Sequence, residues 1–187
     1  MANHRSLPAA SRRSVKSRKF SNGVADLSSA ALLAAYGDAV ADIDRSCTVA
    51  ADPQQVWDVL ADFGSISSWA DNLDHSCILN HGSDPVGTTR RVQIGRDALV
   101  ERIIEFDPTW ALAYEVEGLP KRLRRFTNRW TLRAAQGGTT VVTLTTTVEI
   151  GPGPMQKLVE RAVCRVQVRQ SDAMLAGLAK RLEKSRG

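Results

Sequence analysis

The main change in the spacing of hydrophobic positions lies close to residue 150, since residues 42–150 read mainly as short strands. Between residues 42 and 150, apolar and polar residues alternate in short runs, which is the period of half-buried β-strands. From about residue 155 to residue 184, apolar residues recur every three or four positions, which predicts one amphipathic helix about 45 Å long. Its apolar stripe consists of Val159, Ala162, Val163, Val166, Ala173, Met174, Gly177 and Leu178. A helix of that length needs a partner of matching size, so the pattern predicts an α+β fold in which the helix lies against a curved antiparallel sheet.

Turn-forming residues divide the sheet region into separate elements. A first strand covers residues 42–50, and a helix then begins at Asp52 and Pro53, because Asp caps a helix and Pro fits its first turn. Gly64 is predicted to end this helix in a left-handed conformation, and a helical turn over 65–72 carries Trp69. Short links predict that the remaining strands form an antiparallel meander, at 76–79, 88–94, 98–106, 110–116, 125–133 and 139–150.

Charge is distributed unevenly between the N-terminal residues and the rest of the chain. Residues 1–25 contain six Lys or Arg residues and no acid, which predicts a basic disordered tail, and residues 26–41 are predicted to form an appended helix. The whole chain has a net charge of +5, so residues 26–187 sum to about −1. The predicted folded domain, 42–187, therefore lacks the strong positive charge of a nucleic-acid-binding domain. Weak contact with an anionic membrane or nucleic acid is predicted only through the tail.

No metal site or cofactor is predicted from the motifs of the chain. His75, Cys77 and His81 lack metal-ligand spacing, and there is no dinucleotide fingerprint, phosphate-binding glycine loop or nucleophile elbow. The three cysteines have no C-x-x-C spacing, and no basic segment runs into a sustained apolar one as in a signal peptide. These features favour a cytoplasmic location with reduced thiols.

Particular residues within this order of elements carry a family resemblance. They are 51–63 (ADPQQVWDVLADF), 86–90 (VGTTR) and 99–103 (LVERI), with Phe106, Asp107 and Tyr114. Together they resemble the START-related helix-grip superfamily, and within it the polyketide cyclase/dehydrase and lipid-transport group, over about residues 42–184. The middle stretch is also similar to the plant abscisic-acid receptors.

The resemblance implies a sheet of about seven strands wrapped around the C-terminal helix. Between them it implies a hydrophobic cavity that opens near the 118–120 loop and the 65–69 segment. Such a cavity would bind a small apolar ligand. The lysine that holds the hormone carboxylate in the plant receptors is absent, and Ala70 stands roughly in its place. The resemblance therefore does not imply the same ligand.

Glu101 is the candidate catalytic residue, and by position it matches a pocket-lining glutamate of the plant receptors. The two faces of its strand are about equally apolar, so alternation leaves two orientations open. Glu101 either points outward beside an Arg or points inward as a carboxylate of the cavity. An inward Glu101 could orient a ligand hydroxyl or act as a general base.

Aromatic and polar residues on otherwise apolar faces complete the candidate site. Aromatic rings offer apolar contact, Tyr and Trp add a hydrogen-bonding tip, and polar residues on apolar faces need partners that a ligand can supply. Trp110 is a further aromatic candidate for the cavity wall. The predicted ligand contacts, besides Glu101, are Trp69, Tyr114, Val116, Leu119, Phe126, Asn128, Trp130, Thr146, Val166, Gln170 and Met174.

Two functions fit these features. The first is a bacterial-type carrier or sensor that binds a small hydrophobic ligand, lipid or polyketide-like, in the internal cavity. The second is a polyketide cyclase/dehydratase-type enzyme in which Glu101, Tyr114 and Asn128 position and polarise a substrate in the same cavity. The sequence identifies neither the ligand nor the oligomeric state.

Overall fold

Seven antiparallel strands form a single sheet. The computed structural model describes residues 39–81, 84–119, 123–151 and 156–185, so the predicted tail over 1–25 lies outside the described residues. The strands are β1 (Ala39–Val49), β2 (His75–Asn80), β3 (Thr89–Ile94), β4 (Asp97–Asp107), β5 (Ala111–Glu117), β6 (Leu123–Ala135) and β7 (Thr139–Ile150). Their spatial order is β1-β7-β6-β5-β4-β3-β2. The predicted meander is confirmed, because β2 to β7 are neighbours in chain order.

β1 begins three residues earlier than the sequence pattern indicates. The predicted appended helix, 26–41, is wrong at its C-terminal end, because residues 39–41 are strand. The rest of that prediction lies outside the described residues. The physical reason is pairing, since Ala39 faces Ile150 and β1 thereby runs along the whole of β7.

The helix α1 (Pro53–Ala61) begins as the sequence predicts and ends differently. Asp52 forms a capping box with Gln55: its carboxylate accepts from the Gln55 backbone N–H at 2.9 Å, and its own N–H donates to the Gln55 side chain at 3.1 Å. The prediction that Gly64 ends the helix in a left-handed conformation is wrong. Gly64 lies in a 3₁₀ helix (Phe63–Ser68) and has no positive φ. A Cβ there would come within 2.9 Å of the Ile78 side chain, so the glycine serves close packing.

The helix α2 (Gln156–Lys184) packs against β1 and β7 and touches α1. An ion pair at 2.6 Å joins Asp172 of α2 to Arg45 of β1. The predicted apolar stripe is partly wrong, because Ala162 and Val166 face solvent. The residues that α2 buries are Ser171, Met174, Leu175, Gly177, Leu178 and Leu182. Val166 lies roughly 120–140° around the helix from Ser171 and Leu178, at 100° per residue, which explains its exposure.

The core lies between the inner face of the sheet and the helical elements α1, the 3₁₀ helix and α2. Every even-numbered residue of β7 from Thr140 to Ile150 is buried there. The α+β helix-grip architecture, with a seven-stranded antiparallel sheet and a long C-terminal helix, is therefore confirmed. Neither α1 nor α2 of the described ranges combines the length and the hydrophobicity of a transmembrane segment.

Candidate functional site

Arg90 and Glu101 form a buried ion pair on the inner face of the sheet. The two-residue link between β3 and β4 pairs Ile94 with Asp97, and the same register places Arg90 directly opposite Glu101. Arg90 Nε donates to Glu101 Oε2 at 2.6 Å, and the two residues are only 2% and 7% exposed. The inward orientation of Glu101 is therefore the one that the fold adopts, and its carboxylate already has a cationic partner.

The guanidinium of Arg90 lies between two aromatic rings. Its carbon is 3.8 Å from the centre of the Phe63 ring and 4.6 Å from the centre of the Tyr114 ring, which are cation–π distances. Arg90 Nη1 also donates to the backbone carbonyl of Phe63 at 2.7 Å. The pair thus joins the sheet to the 3₁₀ helix, and the third nitrogen, Nη2, has no hydrogen-bond partner among the described residues.

A row of polar side chains crosses three neighbouring strands beside this pair. Tyr114 of β5 faces Asn128 of β6, and Asn128 faces Thr146 of β7. The Thr146 hydroxyl donates to the Asn128 carbonyl oxygen at 2.7 Å and lies 3.4 Å from the Ser171 hydroxyl of α2. All four residues are buried. The row therefore connects the long helix to the tyrosine that contacts Arg90.

The Tyr114 hydroxyl is buried and lacks a hydrogen-bond partner in the described part of the chain. Burial raises the pKa of Tyr114 to about 12, and the negative charge of Glu101 acts in the same direction. The positive charge of Arg90 lowers the pKa in part, as does the nearness of the Trp130 and Asn128 side chains. Neither of those two side chains meets the geometry of a hydrogen bond to the hydroxyl. Tyr114 is therefore a neutral phenol at physiological pH, able to donate or accept one hydrogen bond.

Trp69 brings a third unpaired group into the same aromatic core. Its ring makes an edge contact with Trp130, with 6.1 Å between centroids, while its indole N–H has no partner within the described ranges. The position of Trp69 depends on α2, because its carbonyl lies directly over Gly177, where a Cβ would overlap it. Asn72, three residues on, donates to the Gln170 side chain. The end of the 3₁₀ segment is thus attached to the long helix.

The structure brings most of the predicted ligand contacts into or beside this core. Glu101, Tyr114 and Trp130 are buried together with Trp69, Val116, Asn128, Thr146 and Met174, while Leu119, Phe126 and Gln170 are half-buried. Val166 is apart from this group, being 54% exposed. The expectation that Trp110 lines the cavity is wrong, because it lies in the β4–β5 turn and is 62% exposed.

Three residues of this core are not among the sequence-based candidates: Arg90, Phe63 and Ser171. The sequence did indicate that Arg90 belongs to the site, because it lies two positions from Val92 and Thr88 and so shares their face of the strand. The short hairpin also places it opposite Glu101. Phe63 had a signal for burial, because it continues the apolar spacing of Val56 and Leu60, but none for its contact with Arg90. Ser171 reaches the core through the packing of α2, for which the local sequence carries no comparable signal.

Comparisons with known proteins agree with this architecture. The family model described as "Polyketide cyclase / dehydrase and lipid transport" matches residues 40–183. No curated protein matches the chain in sequence.

Several solved structures share the fold. The aromatase/cyclase ZhuI from a Streptomyces species matches with a TM-score of 0.68 and 19% identity, over 80% of this chain and 97% of that one. A START superfamily protein from Mycobacterium smegmatis matches with a TM-score of 0.61 and 16% identity, over 79% and 99%. The di-domain ARO/CYC protein StfQ of the steffimycin biosynthetic pathway gives 0.68 and 16%, over 79% of this chain and 52% of StfQ. At these identities the similarity concerns the fold.

Proposed function

The chain belongs to the polyketide cyclase/dehydrase and lipid-transport family, and we propose that it binds one small molecule with an apolar body and oxygen acceptors between its sheet and α2. In this proposal the protein is a carrier or sensor for that molecule. The observation that supports it is a group of three unpaired donors in the core; the fourth unpaired buried atom of the described residues, Asn72 Oδ1, is an acceptor on a side chain that bonds Gln170 of α2. Arg90 Nη2, Tyr114 Oη and Trp69 Nε1 are buried and have no partner among the residues that the structure describes.

All three atoms can donate a hydrogen bond, which defines the chemistry of the proposed ligand. A buried donor without a partner costs about 1–3 kcal/mol, so a ligand that supplies acceptor oxygens recovers a substantial free energy on binding. Buried polar groups in native proteins are in general satisfied by protein, water or ligand. A carbonyl, enol or phenol oxygen would meet this requirement.

The charge of the site favours a neutral ligand. Arg90 and Glu101 neutralise each other at 2.6 Å, so their sum offers no net positive charge to a carboxylate. Ala70, which the resemblance to the plant receptors sets roughly in the place of their carboxylate-binding lysine, is fully buried and carries no charge. An oxygen-rich neutral molecule, such as a polyketide-like ring system or a lipid ester, fits this balance better than a fatty acid anion.

The apolar body of the ligand would contact the remaining predicted residues. Val116, Phe126, Trp130 and Met174 would supply apolar surface, and Leu119 lies at the end of β5 where the resemblance places the entrance. Polar contacts would come from Asn128, Thr146 and Gln170. Val166 is left out of this proposal because it faces solvent.

A polyketide cyclase/dehydratase-type enzyme is the second candidate function. It is favoured by one observation, the placement of Glu101 on the inner face beside Arg90 and Tyr114. In this case Arg90 and Tyr114 would hold a carbonyl oxygen as negative charge develops on it, and Glu101 would accept a proton from the adjacent carbon. Incubation of the protein with its isolated ligand, followed by mass spectrometry, separates the two functions. An enzyme converts the molecule, whereas a carrier returns it unchanged.

Native mass spectrometry of the full chain, followed by organic extraction, tests the proposal. We expect a stoichiometric neutral adduct that leaves with the organic phase. Tyr114→Phe should retain less of it, whereas Tyr36→Phe, which removes the other tyrosine hydroxyl of the chain, should retain the wild-type amount. Equal retention by both variants, or a carboxylic acid as the extracted molecule, would contradict the proposed site.

A further inference from the structure

A concave site adjoins Phe63, the residue whose ring and carbonyl also contact Arg90. It is a cleft of about 320 Å³ between the end of α1, the 3₁₀ helix, β2, β4 and the residues that precede β3. That volume is in the range of ligand and side-chain pockets. The apolar residues of its lining are Ala61, Phe63, Ile78, Pro85, Ile103 and Phe106.

The charged lining of this cleft is acidic. Asp62 and Asp84 contribute two carboxylates, His81 contributes an imidazole, and the described lining contains no Lys or Arg. Asp62 forms no side-chain capping bond, and Asp84 accepts only from the Val86 backbone N–H at 3.0 Å among the hydrogen bonds of the described residues. Both side chains are exposed and face solvent where a cationic partner could approach.

Exposed apolar side chains surround the same end of the sheet. The loop between β2 and β3 and the turn between β4 and β5 lie at one end, because neighbouring strands of the sheet are antiparallel. Leu79 and Val86 flank the first loop, and Trp110 lies in the second turn. All three are exposed large apolar residues. Exposed apolar groups beside an apolar cleft are typical of a docking surface.

We propose that this cleft binds the chain's own basic N-terminal segment, with Phe20 in the apolar floor and Arg18 and Lys19 beside Asp62 and Asp84. Charge complementarity supports this occupant, because residues 1–25 carry six cations and no acid. Phe20 is the only aromatic residue in those 25 positions, and it directly follows two of the cations. The segment therefore offers one ring for the apolar lining of the cleft and two positive charges for Asp62 and Asp84.

The chain between the segment and the domain is long enough for this contact. Phe20 and Ala39, the first described residue, are 19 positions apart, which allows a reach of about 60 Å when extended, or about 40 Å with residues 26–38 in the predicted helix. A domain of about 150 residues has a radius of gyration of about 15 Å, so any point on its surface is accessible. A short tether also gives an effective concentration near the millimolar range, so a weak contact suffices for occupancy.

Phe63 connects this cleft to the buried ion pair. Phe63 is a lining residue of the cleft. The centre of its ring also lies 3.8 Å from the guanidinium carbon of Arg90, and its backbone carbonyl accepts a hydrogen bond from Arg90 Nη1. A tail that fills the cleft would restrict Phe63 and thereby the position of Arg90. Any effect of the tail on ligand affinity would be reciprocal, because coupling between two binding events is symmetric.

Photo-cross-linking in the full chain tests the docking. Benzoylphenylalanine in place of Phe20 should cross-link to peptides that contain Ile78, Pro85 or Phe63, identified by mass spectrometry after digestion. A mixture of isotope-labelled and unlabelled protein should show that the cross-links form within one chain. Cross-links confined to other peptides, or formed only between chains, would overturn the proposal.

Charge reversal tests the role of Asp62 and Asp84 in the docking. Arg18→Glu with Lys19→Glu should lower the cross-link yield about threefold or more, because two attractive pairs become repulsive. The matched control, Arg5→Glu with Arg12→Glu, makes the same change in net charge outside the docking residues and should leave the yield unchanged. Adding Asp62→Lys with Asp84→Lys to the first variant should restore the yield. An equal loss in the control, or no rescue, would indicate non-specific attraction and would overturn the proposed site.

Discussion

Tyr114→Phe removes one hydroxyl from the core and leaves the rest of the residue in place. The ring contacts with Phe63, at 5.6 Å between centroids, and with the Arg90 guanidinium at 4.6 Å do not involve the hydroxyl. The hydroxyl is buried and has no partner in the part of the chain described by the structure. The variant therefore isolates the contribution of a single unpaired polar group.

The two expected free-energy changes have opposite signs. In the ligand-free protein, removal of an unpaired buried hydroxyl relieves its desolvation cost, so the free energy of unfolding should stay equal or rise by up to about 1 kcal/mol. In the complex, loss of one hydrogen bond worth about 0.5–1.5 kcal/mol should weaken ligand affinity about 3–10-fold. Tyr114→Phe should thus be stable and bind poorly.

Thr146→Val is the matched comparison, because its hydroxyl is fully buried and is hydrogen-bonded. Thr146 donates to the Asn128 oxygen at 2.7 Å. Its removal leaves that oxygen without this donor, so the free energy of unfolding should fall by about 1–3 kcal/mol. The contrast between the two variants distinguishes an unpaired hydroxyl from one that already donates its proton within the fold.

Urea unfolding of ligand-stripped protein measures the first quantity, and titration with the extracted ligand measures the second. The reasoning is refuted if Tyr114→Phe loses as much stability as Thr146→Val, because the hydroxyl would then have a partner within the folded protein. It is also refuted if ligand affinity is unchanged.

Three further predictions concern pH, the ion pair and the helix contact. Burial raises the pKa of Tyr114 to about 12, so the folded protein keeps a proton that the unfolded chain loses near pH 10. The free energy of unfolding should therefore fall between about pH 10 and 12, and over this range Tyr114→Phe should lose about 2–3 kcal/mol less than the wild type. Arg90→Met or Glu101→Leu alone should cost about 3–5 kcal/mol in urea unfolding, and the double variant should recover most of it; single variants that cost less than about 1 kcal/mol would contradict a desolvated pair. Gly177→Ala should lower the melting temperature despite the helix propensity of Ala, since the added Cβ would overlap the Trp69 carbonyl. The control, Ala176→Gly on the exposed side of α2, should cost only about 1 kcal/mol. A Gly177→Ala variant that is more stable than the wild type would contradict the contact.

The sequence predicts the architecture well because turn chemistry and hydrophobic period are local. Asp52 and Pro53 fix the start of α1, and the boundaries of 139–150 coincide with β7. The same locality explains the error at Gly64, whose role is close packing with Ile78, a residue from another element. A glycine that ends a helix and a glycine that admits a neighbour are alike in the sequence.

The candidate site was predictable only in part. Alternation could not orient Glu101, because both faces of β4 carry apolar residues. The register of the β3–β4 hairpin would have identified the partner of Glu101, since the pairing of Ile94 with Asp97 places Arg90 opposite Glu101. The side of the sheet on which the pair lies follows from Val92, the buried neighbour two positions along β3 from Arg90.

The error on α2 has a different origin. Val166 and Met174 both fit a three- and four-residue spacing, yet only Met174 is buried. A periodic pattern gives the apolar side of a helix on average, whereas the line of contact depends on how the helix crosses the sheet. That crossing depends on the long-range contacts of α2 with β1 and β7, which the local period does not contain.

The pairing of β1 with β7 also determines the order in which the sheet can be completed during synthesis. Thr145, which bonds Asp44 across the two strands, lies 101 positions later in the chain. At about 5–20 residues per second, a ribosome needs roughly 5–20 s to supply that partner after β1 has been made. Throughout this interval β1 has unpaired backbone groups that could join a strand of another nascent chain. Asp42 and Asp44 place two carboxylates on one face of it, and like charges on neighbouring copies oppose such pairing. The two residues that accept hydrogen bonds from Thr147 and Thr145 in the finished sheet can thus protect the unfinished one.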